Sequence, residues 1–339
     1  MDEGRAGASR RLVAGAALLG VLLTLAVAAS VALGAKDIAF GHVIGALFGS
    51  EHGADAELVR TMRVPRTLLG LAVGIALGLA GAVIQGYTRN PLADAGLLGL
   101  NSGAAFSAVL AIHLFGLATP RQYVWFAFAG AALAGVVVFG VAALGGRGGP
   151  SPLSLALAGA ALTFLLQALT NAVVLFDSAT LDAYRFWVVG STAGRDLSVF
   201  WNVLPFLAVG AALALACGPR LNILSLGDDA ARALGANVAA ARALGLVAVV
   251  LLSGAATAAC GPIAFLGLVV PHVARAITGP DYRWLLPYSG LIGGIALLTA
   301  DTLGRVVARP GEVSVGIMLA VFGAPFFILL VRRRKLVQL

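Results

Sequence analysis

The chain has 339 residues, of which 60% are apolar and 11% charged, and its mean hydropathy is +0.97. That composition excludes a soluble globular domain, whose surface would need many more polar side chains, and predicts an all-α polytopic membrane protein. The net charge of +8 does not point to nucleic acid, because the basic residues are scattered between apolar stretches and follow membrane topology instead.

At the amino terminus, Arg10-Arg11 is followed by an apolar run from Leu12 to about Gly34. A secretory h-region has about 7–15 residues, so this longer run predicts an uncleaved first span. A spanning helix needs about 20 apolar residues. Such stretches occur at 11–34, 65–87, 95–113, 123–145, 153–176, 200–218, 240–259, 263–277, 285–306 and 314–331. The third and eighth are short and interrupted by Gly or Pro. Residues 36–62 carry no assignment beyond an interfacial helix. The whole of 1–339 reads as one transmembrane domain of about ten helices. An even number of spans places both termini on one side, and the tail Arg332-Arg333-Arg334-Lys335 marks that side as cytoplasmic. Of the 23 Lys and Arg residues, 14 then fall inside and 9 outside. High glycine content, 44 residues, predicts closely packed helices. Cys217 and Cys260 stand singly in apolar context and read as small buried hydrophobes.

A faint internal repeat relates Pro91-Leu92-Ala93-Asp94-Ala95-Gly96-Leu97-Leu98 to Pro262-Ile263-Ala264-Phe265-Leu266-Gly267-Leu268-Val269. The two lie five spans apart, hence on opposite sides, as in an inverted-topology repeat with broken helices near a substrate path. Chance similarity in a chain rich in Gly, Ala and Leu is the other explanation.

No Gly-x-x-x-x-Gly-Lys-Ser/Thr phosphate loop occurs, so the chain does not hold ATP by that device. No His/Cys/Asp/Glu group has metal-ligand spacing, and no Ser/His/Asp arrangement suggests catalysis. Asp301 lies well inside a span, with Arg305 one helical turn on; the pair reads as mutually neutralising, against a proton relay. The segment 226–237 is a short charged helix between two spans. Gly227, Asp228 and Asp229 suit its N-terminus, Ala231 and Leu234 its apolar face, and Gly235 its stop. Such a helix fits a partner's groove or lies as an ordinary interfacial helix. Arg63-Val64-Pro65-Arg66, with Arg305 and Arg309, places arginine at the outer edge, either snorkelling to headgroups or forming a basic rim for an acidic partner.

Several motifs together resemble one family. They are Arg63-Val64-Pro65-Arg66, Gly81-Ala82-Val83-Ile84-Gln85-Gly86, Arg89-Asn90-Pro91-Leu92-Ala93, Leu226-Gly227-Asp228 to Leu234-Gly235, the run from Gly261-Pro262 to His272-Val273-Ala274-Arg275, Asp301-Thr302-Leu303-Gly304-Arg305, and Gly323-Ala324-Pro325-Phe326-Phe327. In this order, over about 55–335, they resemble the FecCD-type permeases of ABC importers for iron-siderophores, haem and vitamin B12. The resemblance implies a type II importer permease fold, a bacterial inner-membrane location, and no enzymatic activity in this chain. It implies a dimer of permeases (a homodimer or a heterodimer), two cytoplasmic ATPases that carry the ATP and Mg, and a periplasmic or lipid-anchored binding protein. It also implies roles. Gly227, Asp228, Asp229, Ala231, Leu234 and Gly235 form the coupling helix. Arg63, Arg66 and Arg305 receive glutamates of the binding protein, and Leu92, Pro152 and Leu153 lie at the cytoplasmic gate. Pro152 and Leu153 depart from the family's small polar residues there. Gln85, Asn101, Ser102, Gln167 and Asn171 are candidates to line the path, or to bond helix to helix. The segment Arg185-Phe186-Trp187-Val188-Val189-Gly190-Ser191 favours ferric-siderophore cargo, with haem or cobalamin as alternatives. An ion-coupled secondary carrier would share the inverted repeat but would not need the 226–237 helix.

Overall fold

A computed structural model describes residues 2–49, 51–117, 119–144 and 151–332. Arg147 and the tail Arg333-Arg334-Lys335 lie outside the described residues. Every regular element among those described is helical: α1 (Asp2–Ala32), α2 (Phe40–Phe48), α3 (Ala54–Leu58), α4 (Val64–Thr88), α5 (Leu100–Phe115), α6 (Pro120–Leu144), α7 (Pro152–Phe176), α8 (Ser178–Val188), α9 (Leu197–Ala216), α10 (Gly218–Leu224), α11 (Asp228–Ala233), α12 (Val238–Cys260), α13 (Leu266–Thr278), α14 (Tyr282–Val307) and α15 (Val315–Arg332). Among the described residues, seven helices are long and apolar enough to cross a membrane, and three shorter apolar helices lie in α5, α13 and α15.

Some boundaries differ from expectation for physical reasons. The second pass is not 65–87 but a continuous helix over 54–88, because a π-helical stretch over Val59–Arg63 joins α3 to α4 across Pro65. Proline is harmless there: it sits in the first turn of α4, where its missing N–H has no helical partner. Residues 36–62 contain two helices, α2 and α3, each without a side-chain cap. The third pass begins helically at Leu100, not 95, after a 3-10 turn over Ala95–Leu98 capped by the Asp94 carboxylate. The eighth begins at Leu266, not 263, because Phe265 adopts a left-handed conformation (φ 65°) that interrupts the helix.

α4 is the centre of the bundle, and it presses against α14 along a seam of small residues. A Cβ on Gly74 would stand 2.6 Å from the Gly293 carbonyl oxygen, and one on Gly78 would overlap the Ser289 carbonyl. Only glycine allows the two backbones to approach this closely. The two helix breaks converge on the same region. The Asp94 carboxylate lies against Gly267 in the first turn of α13, and Gln85 of α4 donates to the Gly267 and Leu268 carbonyls at 3.4 and 3.2 Å. An acidic group beside a helix N-terminus is electrostatically favoured. α7 is the opposite case. Its surface is largely uncovered, with Leu153, Leu157, Phe164, Leu165 and Leu175 exposed. Cys217 and Cys260 are buried and free.

Candidate functional sites at the two ends of the bundle

One end gathers the C-terminus of α4, the N-termini of α7, α12 and α14, and the short helices α10 and α11. Gly227 (φ 106°) and Gly235 (φ 79°) bracket α11 in backbone conformations that side-chain-bearing residues rarely adopt. Asp228 and Asp229 occupy the first turn, where negative charge complements the helix dipole. From there the two aspartates diverge. Asp229 is exposed and pairs with Arg232 at 3.0 Å. Asp228 turns into the bundle: its carboxylate accepts from Arg242 Nη2 at 2.9 and 3.0 Å and is also paired with Arg89. Arg232 Nη2 lies 3.9 Å away.

Asp228 therefore joins α11 to the last residue before the Asn90-Pro91-Leu92 break and to the start of α12. Ala231 is fully buried on the inner face of α11, whereas Leu226 and Leu234 are about two-thirds exposed, at 63% and 65%. The segment has one face anchored in the bundle and another that presents two leucines outward. The helical part, 228–233, lies within the 226–237 segment and ends before left-handed Gly235, and Asn237 begins α12 by accepting from the Ala240 N–H at 2.9 Å.

α10 is tied down as well. Asn222 Nδ2 donates to Asp281 at 2.6 Å, and Asn222 Oδ1 accepts from the Tyr282 N–H at 2.8 Å. Hydrogen bonds from Arg283 and Asn222 hold the Asp281 carboxyl down at about 2. Nearby, Pro152 and Leu153 line a cavity of about 270 Å³ with Thr88, Asn90 and Ala93. Leu92 is half-buried in the adjoining loop, where its N–H donates to Asn90 Oδ1 at 2.9 Å.

At the opposite end lie Arg63, Arg66 and Arg305, without the exposure expected of them: they are 4%, 8% and 3% exposed. Arg63 donates to the carbonyls of Val31, Ala32 and Lys36, closing the turn after α1. Arg66 forks onto Asp301, with Nε at 2.9 Å and Nη2 at 2.8 Å, while its Nη1 meets Glu312 at 2.5 Å. Arg305 reaches Asp301 at 3.2 Å, the Ser30 and Leu33 carbonyls, and two hydroxyls. The Asp301–Arg305 pair seen in sequence is thus half of a larger arrangement, with Arg66 as second cation and Thr192 donating to Asp301 at 2.7 Å. Burying this much charge inside a bundle requires such complete pairing.

The polar residues proposed for a path fall into two groups. Gln85 is enclosed, and Asn101 accepts from Thr257 of α12 at 2.9 Å, so both bond helix to helix. Ser102 is half-buried on α5, and Gln167 and Asn171 stand one turn apart on the exposed surface of α7. Residues that sequence reading did not assign to a site include Arg89, Arg242, Asn222, Asp281 and Glu312. No local spacing links Asp228 to partners 139 and 14 residues away.

Comparison with known proteins agrees with this architecture. The profile of the FecCD transport family matches residues 22–333. Over 314 residues, 93% of each chain, the sequence is 46% identical to the ferric enterobactin transport system permease protein FepD of Escherichia coli. It is 39% identical over 279 residues to the cobalamin import system permease protein BtuC of Halobacterium salinarum, covering 82% of this chain and 74% of that one. A solved metal-chelate type ABC transporter in an inward-facing conformation superposes with a TM-score of 0.83 at 28% identity, covering 94% of this chain and 98% of that one. The glycine-sealed bundle, its two broken helices and these likenesses agree: the chain is a multi-pass transport permease and belongs to the FecCD transport family.

Proposed function

We propose that this chain is the membrane subunit of an ATP-driven importer that passes a ferric-siderophore complex inward by alternating access. The observation that carries the proposal is α11. A helix of six residues with Leu226 and Leu234 outward and Asp228 anchored inward has the form of a lever that a soluble partner can push. The partner is an ATPase bound at the cytoplasmic face, one for each of two permeases, carrying the ATP and Mg. Movement of α11 reaches α4 through Asp228–Arg89, and α12 through Asp228–Arg242. Arg89 adjoins the loop that contains Leu92, next to the cavity of Pro152 and Leu153, and this neighbourhood supports a gate at that point. Exposed α7, with Gln167 and Asn171, faces the path or the second permease. The α11 end is cytoplasmic, as are both termini, and the membrane is the bacterial inner membrane.

The end that carries α2 then faces the periplasm and receives the binding protein. Arg63, Arg66 and Arg305 contribute there by fixing the turns that form the docking surface, with Arg66 nearest to it through half-exposed Glu312. The cargo assignment rests on FepD, whose name states ferric enterobactin transport, and on the probable siderophore transport permease YfiZ of Bacillus subtilis, at 46% and 37% identity. Cobalamin is the second choice, on the strength of the Halobacterium relative.

The test is uptake of radiolabelled ferric siderophore into proteoliposomes that hold the complete transporter and binding protein. Uptake stops when the ATPase is blocked with vanadate. Uptake that continues on an ion gradient alone contradicts the importer reading.

A further inference from the structure

α7 and the short helix α8 that follows it are held very differently. α8 is fixed to the bundle by Thr180 and Trp187, 0% and 3% exposed. Of the 25 residues of α7, only Gly159, Thr170 and Val174 are buried. Between the two helices stands one non-helical residue, Asp177, in an extended conformation (φ −140°, ψ 109°). A single extended residue between a loosely packed helix and a fixed one is where a rotation of α7 is absorbed.

The Asp177 carboxylate ties this junction to α5. Its Oδ1 accepts from the Ala179 N–H at 3.0 Å and starts α8. Its Oδ2 accepts from Thr180 Oγ1 at 2.5 Å and lies 3.3 Å from Nδ1 of His113, in the last turn of α5. These contacts hold the Asp177 carboxyl below the usual carboxylate range, the Thr180 hydroxyl most strongly and His113 next. The His113 and Asp177 side chains are 39% and 31% exposed, so protons from solution reach them. Other charges around α5 are engaged elsewhere or distant. α5 packs against α6, α7, α8, α12 and the turn at 95–98. α7 and that turn contain no ionisable side chain. α6 offers the buried phenol of Tyr123, and Arg121, which lies toward Asp196. In α8, Asp182 and Arg185 pair with each other at 3.1 Å, beside Tyr184. α12 brings buried Cys260, and Arg242 at its far end with Asp228.

We propose that His113 and Asp177 form a latch on the end of α7 remote from the gate, and that acid tightens it. Histidine is the side chain that changes charge between about pH 5 and 8. A neutral imidazole gives Asp177 one ordinary hydrogen bond; an imidazolium adds an ion pair between α5 and the α7–α8 junction. The sign follows from linkage. The latched state, in which the imidazolium meets a carboxylate, holds the proton more tightly than the released state, so falling pH favours the latch. The gain lasts until stronger acid protonates the carboxylate. Partly exposed pairs of this kind shift an equilibrium by up to about fivefold. The latch stands on the geometry of the junction; its effect on uptake rests on the alternating-access reading above, in which α7 has to move.

The experiment uses the complete transporter in nanodiscs and reads hydrogen exchange at the start of α8, where the Ala179 and Leu181 amides bond to Asp177. Comparing each variant with the parent at equal pH cancels the intrinsic pH dependence of exchange. His113→Gln exchanges there nearly as slowly as the parent at about pH 7.5 and about two- to fivefold faster at about pH 5.5. His113→Arg, charged at both, is no faster at either. Asp177→Asn keeps a helix cap without the charge, and loses the pH-dependent part as His113→Gln does. A His113→Gln ratio that does not change with pH overturns the latch, whatever the chain transports. The second arm is ATP-driven uptake into proteoliposomes, with the medium at the α2 face brought from about pH 7.5 to about pH 5.5. Uptake by the parent falls about two- to fivefold further than uptake by His113→Gln. If exchange responds and uptake does not, the latch does not restrain α7 during transport and the proposal fails, while the importer reading stands. If the parent shows no ATP-driven uptake at either pH, the importer reading fails, and the exchange ratio decides the latch by itself.

Discussion

The two ends of the bundle use the same chemistry, aspartate held between arginines, at opposite degrees of burial. Asp301 is 2% exposed, and Arg66 and Arg305 are 9% and 3% exposed at the side chain. Asp228 is 26% exposed, and its partners range from 9% (Arg242) through 34% (Arg89) to 49% (Arg232). In a water-excluded site, loss of one partner strands the others as buried charge. In a partly exposed site such as that of Asp228, water replaces a lost partner at small cost for Arg89 and Arg232, and only Arg242 is left buried. The Asp301 group is therefore a fixed joint between α4, α14 and the turn after α1. The Asp228 group is a linkage that can shift without unfolding anything. A transporter needs both: a rigid frame at one end and a transmissible contact at the other.

Asp301→Ala is the largest perturbation of this contrast. It leaves Arg66 and Arg305 buried without their common carboxylate and costs about 3–5 kcal/mol. Thermal unfolding of the detergent-solubilised protein checks this, and an unchanged midpoint would mean that the α2 end is not a fixed joint. Next comes the seam that joins the two ends. Gly78→Ala places a methyl group on the Ser289 carbonyl and costs about 1–3 kcal/mol as α4 and α14 are forced apart. Gly20→Ala is its control, because nothing lies within 4 Å of that position. The same unfolding assay should separate the pair. Asp228→Ala follows, with a smaller stability change of about 1–2 kcal/mol, because Arg89 and Arg232 turn to water while Arg242, 9% exposed, loses a buried partner. A loss as large as that of Asp301→Ala would erase the distinction between the ends.

The smallest effect concerns acid. The Asp281 carboxyl is held at about 2, below its unfolded value of about 3.9. A depressed carboxylate stabilises the fold above its unfolded pKa, and that contribution is lost as pH falls from about 4 through about 2. The α10–α14 tie thus loosens only across that window. Asp281→Asn flattens the fall in unfolding midpoint between pH 5 and 2, and an unchanged slope would show that the tie does not depend on ionisation.

Much of the frame was legible in the sequence, because lipid forces every backbone polar group to be satisfied within a helix, and each helix leaves an apolar run of known length. Gly99 and the Gly261-Pro262 pair likewise announce the two broken passes. Short elements were not legible in the same way. α2 and α3 lack capping side chains and are too short for periodicity to mark them. At the sites, residue type and side of the membrane could be read, but not partners. Arg66 looked like a surface arginine because Asp301, 235 residues further along, is visible only in the fold. Asp228 was singled out as part of a helix start, yet nothing near it in sequence indicated that it faces inward, to Arg89 and Arg242, while Asp229 faces out.

The central claim is that Asp228 transmits motion between α11 and the gate. It is tested most directly by measuring ATP hydrolysed per cargo imported in proteoliposomes that carry Asp228→Asn in the complete transporter. The account predicts an assembled complex that still hydrolyses ATP while uptake falls about tenfold, the loss of roughly 1.4 kcal/mol of coupling. An unchanged ratio of uptake to hydrolysis would contradict it.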